Sequence, residues 1–390
     1  MGEHSIIAPS SADRRAQCPG SAVMEAMHPE TAERPEAKEG TAAHELATDL
    51  IQHCARTTMG PKPWSEYEGR QASNGVDFTE RMYEAAMQYV DEVRGLMRRA
   101  GVFGGPHLFL ERRIAIPHIH EQSAGTPDFA VWGQRTRTLY VRDFKYGYRI
   151  KEPDCKQLVE YAIGVLDTVL EGRPAHEAVR IDLGIVQPRA PHRKGKIRTR
   201  VISAAQLYEE AEAMAAIEAE ALGDNPRTIT GEECRDCKGR HACATLKRSA
   251  MTAVDSVGHV DIEPLDEETL AEELRLLRHA EKLLTARRKG LEAQAEGFIR
   301  AGRIVPGFAL EPSVGRVVWR VPDSEIIDMC DLMGVDARKP AQAITPKQAE
   351  KLGIDESVIK AYSGRDTTGV KLVESDQTLA GDVFGRKEEK

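Results

Sequence analysis

Apolar positions along this chain recur either at helical spacing or in strict alternation, and the switches between the two periods mark its elements. A helix is expected from about Thr41 to His53, entered from Gly40, and a second from Thr79 to Arg99. Between them, MGPKPW and GRQASNG read as loop. Three short β-type segments follow, His107 to Ile116, Pro127 to Trp132 and Thr138 to Tyr146, each bounded by turn residues. Next come a helix over Cys155 to Thr168, a strand near Ile181 to Val186, a basic loop, a strand near Thr199 to Ser203 and a helix from Ala204 to Ala221. Strands, then a helix, then strands again imply an α/β core, a mixed central sheet flanked by helices.

Past this core the pattern becomes helical. Glu267 to Arg300 reads as one long helix in which Leu270, Leu277, Leu284, Leu291 and Phe298 recur every seven residues. The companion row, Leu274, Glu281, Arg288 and Ala295, is half polar, so a coiled coil and a helix laid on its own domain both fit. GFALEPSVGRVVWRV then resembles a hairpin turning near Gly315. Two units are expected: residues 1–250, holding the α/β core, and a mainly helical extension over 265–390 with no recognisable chemistry.

Composition narrows the class. With 41% hydrophobic and 30% charged residues, the chain has the apolar content of a globular protein. Its formal charge of −8 excludes indiscriminate coating of nucleic acid, which needs a basic surface over the whole domain. Local patches remain, the densest being HRKGKIRTR, where Arg193, Lys194, Lys196, Arg198 and Arg200 are candidates for phosphate contacts, with a solvated loop as the plainer alternative. No apolar run approaches the roughly 20 residues that span a bilayer, and MGEHSIIAPSSADRR lacks a signal-peptide core, so a cytoplasmic protein is expected. Seven cysteines without an export signal argue against a disulfide framework. Cys234, Cys237 and Cys243 form C-x2-C-x5-C, three ligands of a set that usually has four, whereas Cys18, Cys54, Cys155 and Cys330 stand alone. Either Cys18 or a histidine such as His241 would complete the set. Cys54, Cys155 and Cys330 read as ordinary buried thiols.

The strongest chemical signal is LYVRDFKYG. Strand alternation sends Leu139, Val141, Asp143 and Lys145 to one face and Phe144 to the other. Taken alone, Asp-x-Lys is a surface ion pair. Upstream, GTPDFAVW puts Asp128 at the start of the preceding strand, where an antiparallel partner would bring it to Asp143. Two converging carboxylates repel unless a cation lies between them, and hard oxygen ligands select magnesium or manganese. GTAAHELA adds Gly40 and His44, and KQLVEY puts Gln157 and Tyr161 four apart on one helical face.

In this order, G-x-x-x-H, Glu111 on a strand, G-x-x-D, D-x-K and Q-x-x-x-Y resemble the RecB-type branch of the PD-(D/E)XK nucleases, over roughly Gly40 to Tyr161. The resemblance implies a restriction-endonuclease-like core and metal-dependent cleavage of DNA. It implies His44, Asp128, Asp143 and the backbone carbonyl of Phe144 as metal ligands, Lys145 as catalytic lysine, and Gln157 and Tyr161 beside the substrate strand. Glu111 matches only loosely, as a further ligand or a supporting carboxylate. One cysteine before the motifs and three after them also resembles the CRISPR-adaptation and AddB-type nucleases, which implies a 4Fe–4S cluster on Cys18, Cys234, Cys237 and Cys243, with zinc as the alternative. The whole layout is similar to an uncharacterised phage-associated family. An exonuclease for phage replication or recombination is therefore expected, in the cytoplasm of a bacterial host, with DNA and a helicase, recombinase or single-strand-binding protein as partners. A non-cleaving DNA-binding or recruitment module is the rival. No motor is expected, since the nearest P-loop, GRDTTGVK, has Val370 where lysine is needed.

Overall fold

The computed structural model describes residues 7–28, 35–57, 60–255 and 266–310, with the short segments 327–328 and 331–332. The expected hairpin about Gly315, the P-loop-like stretch and Cys330 lie outside the described residues. Two short helices, α1 (Ala12–Gln17) and α2 (Ser21–Met27), precede the long α3 (Pro35–Thr57) and α4 (Glu80–Ala100). Helix α4 starts where the Thr79 hydroxyl accepts from Met82 N and stops at Gly101, whose φ of 68° suits glycine. Gly40 falls inside α3, which begins five residues before it rather than at it.

Strands β1 (Leu108–Leu110), β2 (Ile114–Ala115), β3 (Ala124–Gly125), β4 (Phe129–Gly133) and β5 (Thr138–Phe144) come next. Helix α5 (Lys156–Leu170) crosses to β6 (Arg180–Val186), followed by β7 (Ile197–Ser203) and α6 (Ala204–Ala221). The main sheet has the order β1-β4-β5-β6-β7, with β5 and β6 parallel and every other pair antiparallel. Helix α5 supplies the crossover that a parallel pair requires. The segment expected as one strand over His107 to Ile116 is broken. Glu111 takes a left-handed φ of 46°, so β1 joins the main sheet while β2 pairs with β3 in a separate hairpin.

Strand alternation sorts the core into two layers. Ala130, Trp132, Leu139, Val141, Ile181, Leu183 and Ile185 face α5 and α6. Phe129, Val131, Tyr140, Phe144 and Val186 face α3 and α4. Both layers are fully buried in the central strands, and at roughly 1.5–3 kcal/mol for each large apolar side chain they supply most of the drive to fold.

Arg15 of α1 is 1% exposed and bonds Glu218 of α6 at 2.5 Å and Glu160 of α5 at 3.3 Å, clamping the N-terminal segment to the sheet's helical cover. Helix α7 (Ala244–Asp255) and the long α8 (Glu267–Arg300) follow. Contacts group α8 with the first compact unit, which runs over 1–310. The leucine row expected as its seam is exposed, Leu270 by 47% and Leu277 by 57%. Its packed positions are instead Leu283, Ala286 and Gly290, with Leu283 and Ala286 closing on Leu246 of α7 and a Cβ at Gly290 lying 3.0 Å from His241 N.

Candidate functional site

The register of β4 and β5, Phe129 opposite Arg142, sets Asp128 across from Asp143 one step beyond the ladder's end. The Asp128 carboxylate accepts from the Phe144 N–H at 2.7 Å, which fixes it on the strand carrying Asp143. Helix α3 reaches the same point from the other layer. His44 Nδ1 is 3.5 Å from Asp128 and 4.0 Å from Glu111, and its ring lies against Phe144. Among the described residues, His44, Glu111 and Asp128 are the group whose potential ligand atoms all fall within 4.8 Å of one another. Sequence matched Glu111 only loosely. Its left-handed backbone, uncommon for a residue with a side chain, aims its carboxylate here and is the kind of strain that gathers at functional sites.

Asp143 is 1% exposed. Its Oδ1 accepts from Lys145 Nζ at 3.1 Å, while Oδ2, ion-paired with the same amine at 2.9 Å, has no aligned hydrogen-bond donor among the described residues. A buried carboxylate oxygen with unused lone pairs beside two further carboxylates suits a cation. Lys145 Nζ also donates to Gln157 Oε1 at 3.4 Å, and Gln157 Nε2 donates to Tyr161 Oη at 3.4 Å. The Gln-x-x-x-Tyr face of α5 therefore positions the lysine. Gly125 makes room for it, because a Cβ there would meet the Tyr161 ring at 2.8 Å.

The charges are mutually strained. Burial and the Asp128 carboxylate push Glu111 up to about 7, and burial with Asp128 also raises Asp143 in spite of Lys145. Burial opposes charge on His44, yet the adjacent Asp128 prevails and holds it above the ordinary histidine range. Asp128 is lowered, since His44 and Lys145 outweigh its burial. Burial likewise opposes charge on Lys145, but Asp143 and Asp128 raise it. Beside these groups opens a cavity of about 480 Å³ lined by His44, Glu111, Thr48, Tyr67 and Arg70 among others. Cys155, expected as a plain buried thiol, is half-buried at the start of α5, where burial and then Asp143 push it up to about 12.

Two residues of the basic stretch are engaged within the protein, and one of them is withdrawn from the surface. Arg198 is 2% exposed, its guanidinium bound to Lys151 O, Gly195 O and Gln187 Oε1, so it braces the loop and offers no charge to a phosphate. Arg200 is paired with Glu210 of α6. Arg193, Lys194 and Lys196 are exposed. Sequence reasoning also passed over Arg142, which is buried between Glu92 at 2.9 Å and Asp182 at 3.0 Å, and ties β5 to α4 and β6 directly behind Asp143. No local pattern reveals it, because its partners lie far along the chain.

Cys18, Cys234, Cys237 and Cys243 line one small pocket, although Cys18 is more than 200 residues from the other three. The six described cysteines are free. Backbone N–H groups donate to three of these sulfurs, Ile229 to Cys18 at 3.3 Å, Gly231 to Cys234 at 3.3 Å and Leu246 to Cys243 at 3.4 Å. Burial raises the thiols of Cys18 and Cys234 and pushes Cys237 up to about 11. His241, the alternative fourth ligand, packs edge-to-face on His28 and bonds Lys238 O. Cys54, on α3, is buried in the layer it shares with α4, as expected. Among the described residues no helix is long and apolar enough to cross a membrane.

Fold and site together define a mixed α/β protein in which one end of the sheet gathers three carboxylates and an amine beside an imidazole from α3. The chain belongs to the DUF2800 family, described as a protein of unknown function, whose sequence profile matches residues 4–373.

Proposed function

We propose that this protein is a magnesium- or manganese-dependent deoxyribonuclease of the PD-(D/E)XK kind, acting on DNA ends or single strands. The observation that carries the reading is the meeting of His44, Glu111, Asp128, Asp143 and Lys145 from α3, the β1 end and the β4–β5 pair. His44, Asp128, Asp143 and the Phe144 carbonyl would hold the ion, with Glu111 as a further carboxylate, and Asp143 Oδ2, which has no aligned hydrogen-bond donor among the described residues, fits that role. A divalent ion there supplies Lewis acidity toward the scissile phosphate and a lower pKa for the attacking water.

The chain's own groups do the rest. Lys145 keeps its proton between Asp143 and Gln157 and so presents fixed positive charge to the phosphate as negative charge develops. Gln157 and Tyr161 hold that amine in place.

We further propose that the four cysteines hold a 4Fe–4S cluster that clasps the N-terminal segment to the chain after α6. Four free thiols around one pocket and three N–H···S donors fit it. Zinc on the same thiols is the alternative. Resemblance to a phage-associated family makes replication or recombination the expected setting, with a helicase, recombinase or single-strand-binding protein as partner. Digestion of end-labelled single- and double-stranded DNA with magnesium or manganese tests the reading. Metal-dependent cleavage abolished in Asp143→Asn is expected, and undiminished cleavage by that variant would falsify the site.

A further inference from the structure

β5 and β6 are the parallel pair of the sheet, so their carboxyl ends emerge side by side, and the segments after them share one end of the molecule with Asp143 and Lys145. In open α/β sheets this is the end at which ligands bind. Three residues beyond Lys145, Tyr148 is 54% exposed. Three residues beyond β6, the Arg189 guanidinium lies 4.1 Å from the Tyr146 ring centre and 4.4 Å from that of Tyr148. The Tyr148 hydroxyl accepts from Arg189 at 2.8 Å and from Arg81 of α4 at 2.6 Å. Glu39 of α3 pairs with Arg189 at 3.3 Å and steadies it.

This is an unusual way to treat a surface tyrosine. Arg189 is only 11% exposed, so the support beneath the ring is part of the scaffold and not a loose side chain. Two guanidinium donors fix the hydroxyl, which removes most of the ring's freedom in advance and leaves the rest of its surface to solvent. A rigid, half-exposed ring flanked by guanidinium groups matches what an unpaired base and its phosphate need, a face for stacking and a positive charge beside it. Exposed Arg193, Lys194 and Lys196 on the loop leaving β6 add positive charge on the same side, in a chain whose formal charge is −8.

We propose that Tyr148, held by Arg189 and Arg81, is a stacking platform for an unpaired base of single-stranded DNA led toward the neighbouring carboxylates. The choice of DNA rests on the nuclease reading, but the platform can be tested without cleavage. Binding of the full-length protein, in EDTA, to a labelled oligothymidylate of about 12 nucleotides would be compared by fluorescence anisotropy with binding to an abasic strand of equal charge. Wild type should prefer the strand with bases by about tenfold, the scale of one stacked base. Tyr148→Ala should erase that preference by losing affinity for oligothymidylate alone, and Tyr148→Phe, which keeps the ring, should retain most of it. Circular dichroism of each variant checks the fold, which an exposed side chain should not disturb.

Unchanged oligothymidylate binding by Tyr148→Ala would overturn the platform, as would an equal loss on the abasic strand, which would mark a charge effect. Full competition by polyglutamate at equal charge would also overturn it, pointing to an acidic protein instead. Metal-dependent cleavage without any Tyr148-dependent binding leaves the nuclease reading intact and removes the platform. Tyr148-dependent binding without cleavage does the reverse.

Discussion

Helix α5 takes part in two clusters of buried charge. Glu160 faces Arg15 and Glu218, where one guanidinium meets two carboxylates and all three side chains are no more than 1% exposed. Gln157 and Tyr161 face the second cluster, where Lys145 and His44 meet Glu111, Asp128 and Asp143 with His44, Glu111 and Lys145 about three-tenths open. In the first, burial pushes Glu160 up to about 8 against the pull of Arg15, so near neutrality it carries a proton and the cluster is nearly balanced and closed. In the second, His44, Glu111 and Lys145 reach solvent and a cavity opens alongside. Burial of charge is thus a poor marker of function by itself. Charge with a way in from solvent is the better one, because a closed cluster can only brace the fold whereas an open one can take a ligand.

The contrast can be broken by mutation. Arg15→Met strands two carboxyls in an apolar wall and should lower unfolding free energy by roughly 3–5 kcal/mol, seen as a lower urea midpoint, with cleavage per folded molecule preserved. Asp143→Asn should do the opposite. It relieves like-charge repulsion, so the metal-free melting temperature should hold or rise, while the cleavage rate falls by roughly 10²–10³-fold, the usual cost of removing one charge-stabilising group. If Arg15→Met abolished cleavage without unfolding, or Asp143→Asn melted the protein, the two clusters would have to exchange roles.

Metal should separate the clusters next. Magnesium or manganese at about a hundredfold over its Kd should stabilise wild type by about 2.7 kcal/mol, Arg15→Met by the same increment, and Asp128→Asn by little or nothing, as thermal shift would record. The smallest effect concerns pH. A carboxyl held at about 7 in the native state, against 4.5 ordinarily, keeps its proton after the unfolded chain has lost it. Glu111 therefore costs the metal-free protein stability progressively as pH rises from 4.5 toward 7. Melting of wild type and Glu111→Gln across that window should diverge with rising pH, the variant being the flatter, and parallel curves would remove Glu111 from the cluster.

Sequence alone settled what depends on neighbours in the chain. Alternation put Asp143 and Lys145 on one face and Phe144 on the other, and a short antiparallel connection brought Asp128 opposite Asp143; both are local geometry and both hold. The extents of α6 and α8 were equally legible from helical periodicity. Tertiary structure decided what each face meets. It turned Arg198 inward and paired Arg200 with Glu210, packed α8 through Leu283, Ala286 and Gly290, and brought Cys18 to the three later cysteines. It also joined Arg15 to Glu160 and Glu218 across 145 and 203 residues. The reason is physical: a period records which side of an element is apolar, but a charged side chain's partner is chosen by whichever distant element packs beside it, and no spacing in the chain encodes that choice.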